Sequence, residues 1–173
     1  MASQSTTEHR DKAAALPPVR VAVYTISDSR TPETDKSGAL IRELLAAAGH
    51  TVVDYAILPD EPDLIRGRLL AQINEPETQV VLTNGGTGIA PRDGTFEAVS
   101  ALIDKEMPGF GELFRMLSWD EVGPASMLSR ATAGLAGRTL LFAMPGSSNA
   151  VGLAMRKLII PELSHLAWEV NRA

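Results

Sequence analysis

Three short clusters in this chain carry residue types that could handle phosphate or a metal ion. The first is Thr83-Asn-Gly-Gly-Thr-Gly88. Glycines let a backbone take positive φ and approach a ligand closely, which leaves several N–H groups free to cradle an anion. Gly85, Gly86 and Gly88 have that freedom, and Thr87 adds a hydroxyl. The second cluster is acidic: Asp93 in Pro91-Arg-Asp-Gly-Thr95, and Asp60 in Leu58-Pro-Asp-Glu-Pro62. A magnesium ion that also touches substrate phosphates usually takes only one or two protein carboxylates. Each carboxylate has an ordinary alternative, because helix starts favour a capping Asp: Asp93 or Thr95 could cap the helix after the glycine run, and Asp60 could cap the helix after it. The third cluster is Pro145-Gly-Ser-Ser148. Ser147 and nearby N–H groups could bind a polar ring or a phosphate, or Ser147 or Ser148 could simply cap a helix. Arg92 and Arg130 are the cations considered for phosphate, since a guanidinium matches it bidentately; of the two, Arg92 reads as the more solvated.

What is missing narrows the chemistry. No Gly-Lys-Ser/Thr follows the glycine run and no GxGxxG occurs, so an ordinary nucleotide triphosphatase is disfavoured. Cysteine is absent, no GxSxG elbow occurs, and no serine has an evident histidine partner, which argues against covalent catalysis. The same absence removes zinc-thiolate and iron–sulfur sites and fits a reducing compartment such as the cytoplasm. His9, His50 and His165 are too scattered for a histidine metal site. With 16 Lys and Arg against 21 Asp and Glu, the net charge is −5, which argues against a nucleic-acid partner. No apolar run approaches the ~20 residues of a membrane span, so no membrane partner is expected. Binding, or phosphoryl or nucleotidyl transfer, remains; in such transfer a protein mainly positions groups and neutralises charge.

The elements that must position these clusters follow from apolar spacing. Val19–Ile26, Thr51–Leu58, Gln79–Thr83 and Thr139–Met144 are short apolar runs that read as strands. Ser37–Ala48, Pro62–Asn74 and Thr95–Asp104 have helical spacing, with Gly49 at the glycine-favoured position just past the first helix's end. Gly109–Gly134 reads as less regular and helix-rich, and its aromatic and Met residues Phe110, Phe114, Met116 and Trp119 as packing or a subunit interface. Helical spacing returns from Val151 to Val170, with a kink or break expected at Pro161. Met1–Pro18 reads as a disordered tail and residues 19–173 as one domain. Alternating strands and helices predict an α/β fold with a mostly parallel sheet. In such a sheet ligands sit outside the carboxyl ends of the strands, so the loops at Ser27, Pro59-Asp60, Asn84–Asp93 and Pro145–Ser148 are expected to share one rim.

Taken in order, Ser27-Asp-Ser29, Asp35-Lys-Ser-Gly38, Leu58-Pro-Asp60, Asn84-Gly-Gly-Thr-Gly88 with Asp93, Pro108-Gly-Phe-Gly-Glu112, Ser129-Arg130 and Met144-Pro-Gly-Ser147 resemble the MoaB/MogA family of molybdenum-cofactor biosynthesis proteins. The resemblance runs from about Val19 to Val170 and is closer to the MoaB branch. It implies a three-layer α/β/α sandwich, a trimer or hexamer, and a molybdopterin pocket. It also implies a reaction, in which the terminal phosphate of molybdopterin attacks the α-phosphate of magnesium-ATP and releases pyrophosphate. By motif, Asp60 and Asp93 become the catalytic, Mg2+-binding pair. Gly85, Gly86, Thr87 and Gly88 line the phosphate and pterin site, with Ser27, Asp28, Ser129, Arg130, Gly146 and Ser147 around it. A non-catalytic pterin-binding or assembly protein of the same fold is the alternative. Two departures bear on that choice. Asn84 interrupts the family's TGGTG run; Asn tolerates left-handed backbone, so the turn is expected to survive with a narrower pocket. Gly94-Thr-Phe96 replaces Val-Thr-Pro, which predicts a looser segment around Asp93.

Overall fold

The computed structural model describes residues 17–171. The expected tail therefore lies, apart from Pro17 and Pro18, outside the described residues. β-Branched runs form three of the strands: β1 (Arg20–Ile26), β2 (Thr51–Leu58) and β3 (Val80–Asn84). Helix α1 (Lys36–Ala47) joins the first two and α2 (Pro62–Ile73) the next two. Asp35 caps α1, accepting from Gly38 N at 3.0 Å, and Gly49 follows the helix with φ 79°.

After β3 the chain is less as expected. The helix that follows, α3 (Thr95–Ser100), stops four residues short of Asp104. Its continuation turns instead to reach a two-residue strand, β4 (Lys105–Glu106), and the Asp104 carboxylate accepts from Gly137 N at 2.7 Å. The stretch read as irregular holds a 15-residue helix, α4 (Pro108–Val122), a 3₁₀ turn (Gly123–Leu128) and a strand, β5 (Thr132–Ala136). Strand β6 (Thr139–Met144) then leads into α5 (Ser148–Ala154), a π-helical turn (Met155–Ile159) and α6 (Ile160–Asn171). Proline has no N–H and crowds the carbonyl four residues back. The wide π turn before Pro161 accommodates both defects, and it is the form the expected break takes.

The six strands make one sheet in the order β2-β1-β3-β6-β5-β4. The first four are mutually parallel; β5 and β4 are antiparallel to their neighbours. Side chains alternate between two cores, as strand geometry requires when both faces are covered. Val21, Val23, Leu82 and Phe142 face α1, α4, α5 and α6. Ala22, Tyr24, Val81 and Leu141 face α2 and α3. The fold is the expected three-layer α/β/α sandwich, with an antiparallel margin added. No helix of the described residues is long and apolar enough to cross a membrane.

Candidate functional site

Register decides where the loops meet. Ile26 pairs with Leu58, Thr25 with Asn84, and Asn84 with Met144, so four parallel strands end at nearly one level. Strand β5 runs the other way and pairs Thr132 with Ala143. Its amino end, and with it Ser129-Arg130, arrives at the same rim. The connections diverge on either side of the β1/β3 pair, which makes that pair the switch point of the sheet.

The glycine loop is built for close approach. Gly85 has φ 99° and Gly86 φ 62°. A Cβ at Gly85 would overlap the Ile26 carbonyl oxygen; one at Gly86 would overlap Thr95 Oγ1 and lie 2.8 Å from Asp60 Oδ2. Gly85 N donates to the Met144 carbonyl at 3.0 Å and Thr95 N to the Gly86 carbonyl at 3.0 Å, which fixes both ends of the turn. The expectation for Asn84 is corrected. No residue other than glycine has positive φ among the described residues. Asn84 closes β3 with its side chain buried, donating to Thr25 Oγ1 at 2.9 Å and to the Tyr24 carbonyl at 3.3 Å. It supports the rim from beneath.

Asp60 and Asp93 come together at this loop. Asp60 Oδ1 accepts from Gly94 N at 3.2 Å, and the Asp60 N–H donates to Asp28 Oδ1 at 3.0 Å. Asp93 Oδ2 accepts from Ala90 N at 3.0 Å, and its carboxylate lies where a Cβ on Gly88 would go. Neither carboxylate caps a helix: the N-cap of α2 is Glu61 and that of α3 is Gly94, both without a side-chain cap bond. The ordinary alternative read from the sequence therefore does not account for them. Burial pushes the Asp60 carboxyl above the usual carboxylate range, and the nearby Asp93 charge adds to this against the Gly94 N–H. Two anions held together in this way favour a bound cation. No group of three or more metal-ligating side chains occurs among the described residues. A two-carboxylate site suits magnesium carrying phosphate oxygens and waters. The expected looseness at Gly94 is also corrected, because Gly94 is buried, bonded to Asp60, and packed so that a Cβ would overlap the Pro62 ring.

The remaining expected residues divide between two recesses. A cavity of about 380 Å³ is lined by Gly86, Thr87, Gly88, Asp93, Ser129, Gly146 and Ser147, with Phe114, Val122 and Leu128 as its apolar wall. A shallower recess of about 620 Å³ is lined by Ser27, Asp28, Arg30, Tyr55 and Pro59. Gly85, Asp60 and Arg130 line neither. Asp60 links the two sides, bonded to Asp28 in one and beside Gly86 in the other. Ser147 caps α5 through its Oγ, accepting from Ala150 N at 3.2 Å, as its alternative reading had it. Arg130 is turned inward. It donates to the Asp93 carbonyl at 3.0 Å and the Thr87 carbonyl at 3.4 Å, pairs with Glu97, and stacks 5.0 Å from the Phe96 ring. It holds the glycine loop in place. Arg92 is two-thirds exposed and pairs with Asp28.

Sequence reasoning missed the polar hub beneath the rim. Asp35 is 1% exposed. It accepts from Thr25 Oγ1 at 2.6 Å, Tyr55 Oη at 2.8 Å, Ser37 Oγ at 3.1 Å and Arg30 at 3.2 Å. Burial alone would raise its pKa, but the hydrogen bonds from Thr25, Gly38 N, Tyr55 and Ser37 hold it below the usual range. Arg30 also donates to the Gly146 carbonyl at 2.8 Å, tying the loop after β6 to the loop after β1. The signal available in the sequence was Asp35 three residues before Gly38, a capping spacing.

Comparisons with known proteins bear on the fold and the family. The family described as a probable molybdopterin binding domain matches residues 22–165. The molybdenum cofactor biosynthesis protein B of Bacillus cereus is 55% identical over 169 residues, covering 97% of this chain and 99% of that one. A crystal structure of a molybdenum cofactor biosynthesis protein B is 56% identical, with a TM-score of 0.89 over 92% of this chain and 99% of the other. The tungsten cofactor synthesizing protein MoaB of Pyrococcus furiosus is 38% identical, with a TM-score of 0.80 over 91% and 100%.

Proposed function

The chain belongs to the MoaB/MogA family and works in molybdenum cofactor biosynthesis, and from that premise we propose that it binds molybdopterin and adenylylates it with magnesium-ATP. The observation that carries this reading is the Asp60–Asp93 pair, not consumed in capping, at a glycine turn that stands between two recesses. Joining two polyanions needs charge neutralisation and alignment more than a strong nucleophile. Asp60 and Asp93 would hold magnesium, which when bound supplies positive charge to the phosphate oxygens. The Gly85–Gly88 backbone and Thr87 hold the phosphate end of molybdopterin, and Gly146 and Ser147 flank its ring. Arg130 keeps the Thr87 and Asp93 carbonyls in register, and Arg30 does so for Gly146.

The two departures that favoured a non-catalytic binder, Asn84 and Gly94, each have a hydrogen-bond partner within the chain, which supports the catalytic reading over that alternative. A cysteine-free chain suits a cytoplasmic setting. Self-association as a trimer or hexamer is supported by exposed Met116, Trp119, Met127 and Leu128 on α4 and the 3₁₀ turn. Pyrophosphate release with molybdopterin, ATP and magnesium tests the central reading. Asp60→Asn and Asp93→Asn should each lower the rate at least about 100-fold; full activity in both variants would overturn the assignment.

A further inference from the structure

One carboxylate in the 380 Å³ cavity is left without a role by the adenylyl-transfer reading. The charged residues in the lining are Asp93 and Glu121. Asp93 is assigned to the cation. Glu121 stands at the end of α4 and forms no ion pair among the described residues. Its Oε2 accepts from Asn149 Nδ2 at 2.6 Å, and Asn149, in the first turn of α5, lines the same cavity. A carboxylate beside a phosphate-bearing ligand repels it, unless the carboxylate meets N–H donors of that ligand.

A pterin offers such donors. Its pyrimidinone edge presents, in sequence, the 2-amino N–H, the N3–H and the 4-oxo oxygen, which is donor, donor, acceptor. Glu121 and Asn149 present two carboxylate oxygens and an amide N–H, which is acceptor, acceptor, donor. Phe114, Val122 and Leu128 add the apolar surface that a flat heterocycle covers. We propose that Glu121 and Asn149 are specificity-determining residues that read the 2-amino-4-oxo edge of the pterin. The phosphate then lies at the glycine loop, away from the Glu121 charge. This rests on the molybdopterin reading of the cavity and adds to it a recognition rule. A ring with oxygen in place of the 2-amino group turns an acceptor toward the carboxylate and is rejected.

The test uses the full chain and two probes that share a 6-alkyl phosphate: a pterin and its 2-oxo counterpart, a lumazine. Inorganic pyrophosphate is the control for the phosphate end. The native protein should bind the pterin at least about tenfold more tightly than the lumazine, as expected when a buried or aligned polar group loses its partner. Glu121→Gln should bring that ratio close to one, because the amide N–H can donate to the 2-oxo oxygen. It should leave pyrophosphate binding unchanged. Asn149→Leu should weaken both rings alike, since both carry the 4-oxo group. Equal binding of the two rings by the native protein, or a ratio unaltered by Glu121→Gln, would overturn the edge-reading role and leave the molybdopterin assignment standing. A native protein that binds pyrophosphate but neither ring would overturn the molybdopterin assignment itself.

Discussion

The parallel half of the sheet and its antiparallel margin do different work. Around β2, β1, β3 and β6, the proposed recognition is carried by backbone, with two carboxylates beside it: glycines at φ 99° and 62°, strand-end N–H groups, and Asp60 and Asp93 held by neighbouring N–H bonds. Around β5, α4 and the 3₁₀ turn it is carried by side-chain shape, in an apolar cavity wall and an exposed Met and Trp face. Each part of the first region has a partner within the chain, such as Arg130 on the Thr87 carbonyl. The second offers surface to something outside the monomer's own core. Phosphate chemistry needs fixed dipoles and so accumulates where strands end together; ring recognition and self-association need area.

Breaking the parallel half should do most damage. Gly86→Ala places a methyl against Thr95 Oγ1 and Asp60 at a φ of 62°. It should destabilise the fold by about 1–3 kcal/mol and lower pyrophosphate release at least about 100-fold, seen by thermal unfolding and turnover. Asp35→Asn breaks a buried hub with four side-chain donors and should cost about 3–5 kcal/mol in denaturant unfolding. Its pH signature has a definite sign. The native pKa is depressed, so the stability Asp35 contributes is present above the unfolded value and lost as pH falls toward the native one; the Asn variant should lack that loss.

Asp60 has the opposite sign. Its native pKa is raised, so the native state holds the proton longer, and its contribution to stability falls as pH rises from the unfolded to the native value. Metal binding competes with that proton. Magnesium affinity, measured by calorimetry, should therefore begin to fall at a higher pH than for an ordinary aspartate, and Asp60→Asn should abolish this dependence. The margin should respond most weakly. Trp119→Ser removes a side chain 57% exposed and should change monomer stability by no more than about 0.5 kcal/mol. Light scattering should nevertheless show weaker self-association.

The same contrast explains what was legible beforehand. Strands β2 and β6 have the residue bounds their β-branched and apolar runs indicated, and the four strand-end loops meet as the parallel-sheet rule requires. That Asp60, Asp93 and the glycine loop lie together was legible because small and acidic residues after a strand carry local meaning. Strand β5 was missed because Thr132-Ala-Gly-Leu-Ala136 has neither β-branched density nor alternation, and β4 is too short to carry a pattern. Arg30, Glu121 and Asn149 drew no notice in the sequence because their contacts span 116 residues for Arg30 and 28 for the other two, a separation no local motif encodes. Asn84 was misread for the reverse reason: a turn composition suggested left-handed backbone where β-pairing to Thr25 and Met144 holds the residue extended.

The central claim is that Asp60 and Asp93 grip one cation between two anionic ligands. A double-mutant cycle on magnesium-dependent pyrophosphate release tests it directly. If both carboxylates serve the same ion, the doubly substituted Asp60→Asn, Asp93→Asn protein should fall no further than about threefold below the weaker single variant, because the second loss has nothing left to remove. Losses that multiply would mean two independent roles and would contradict the account.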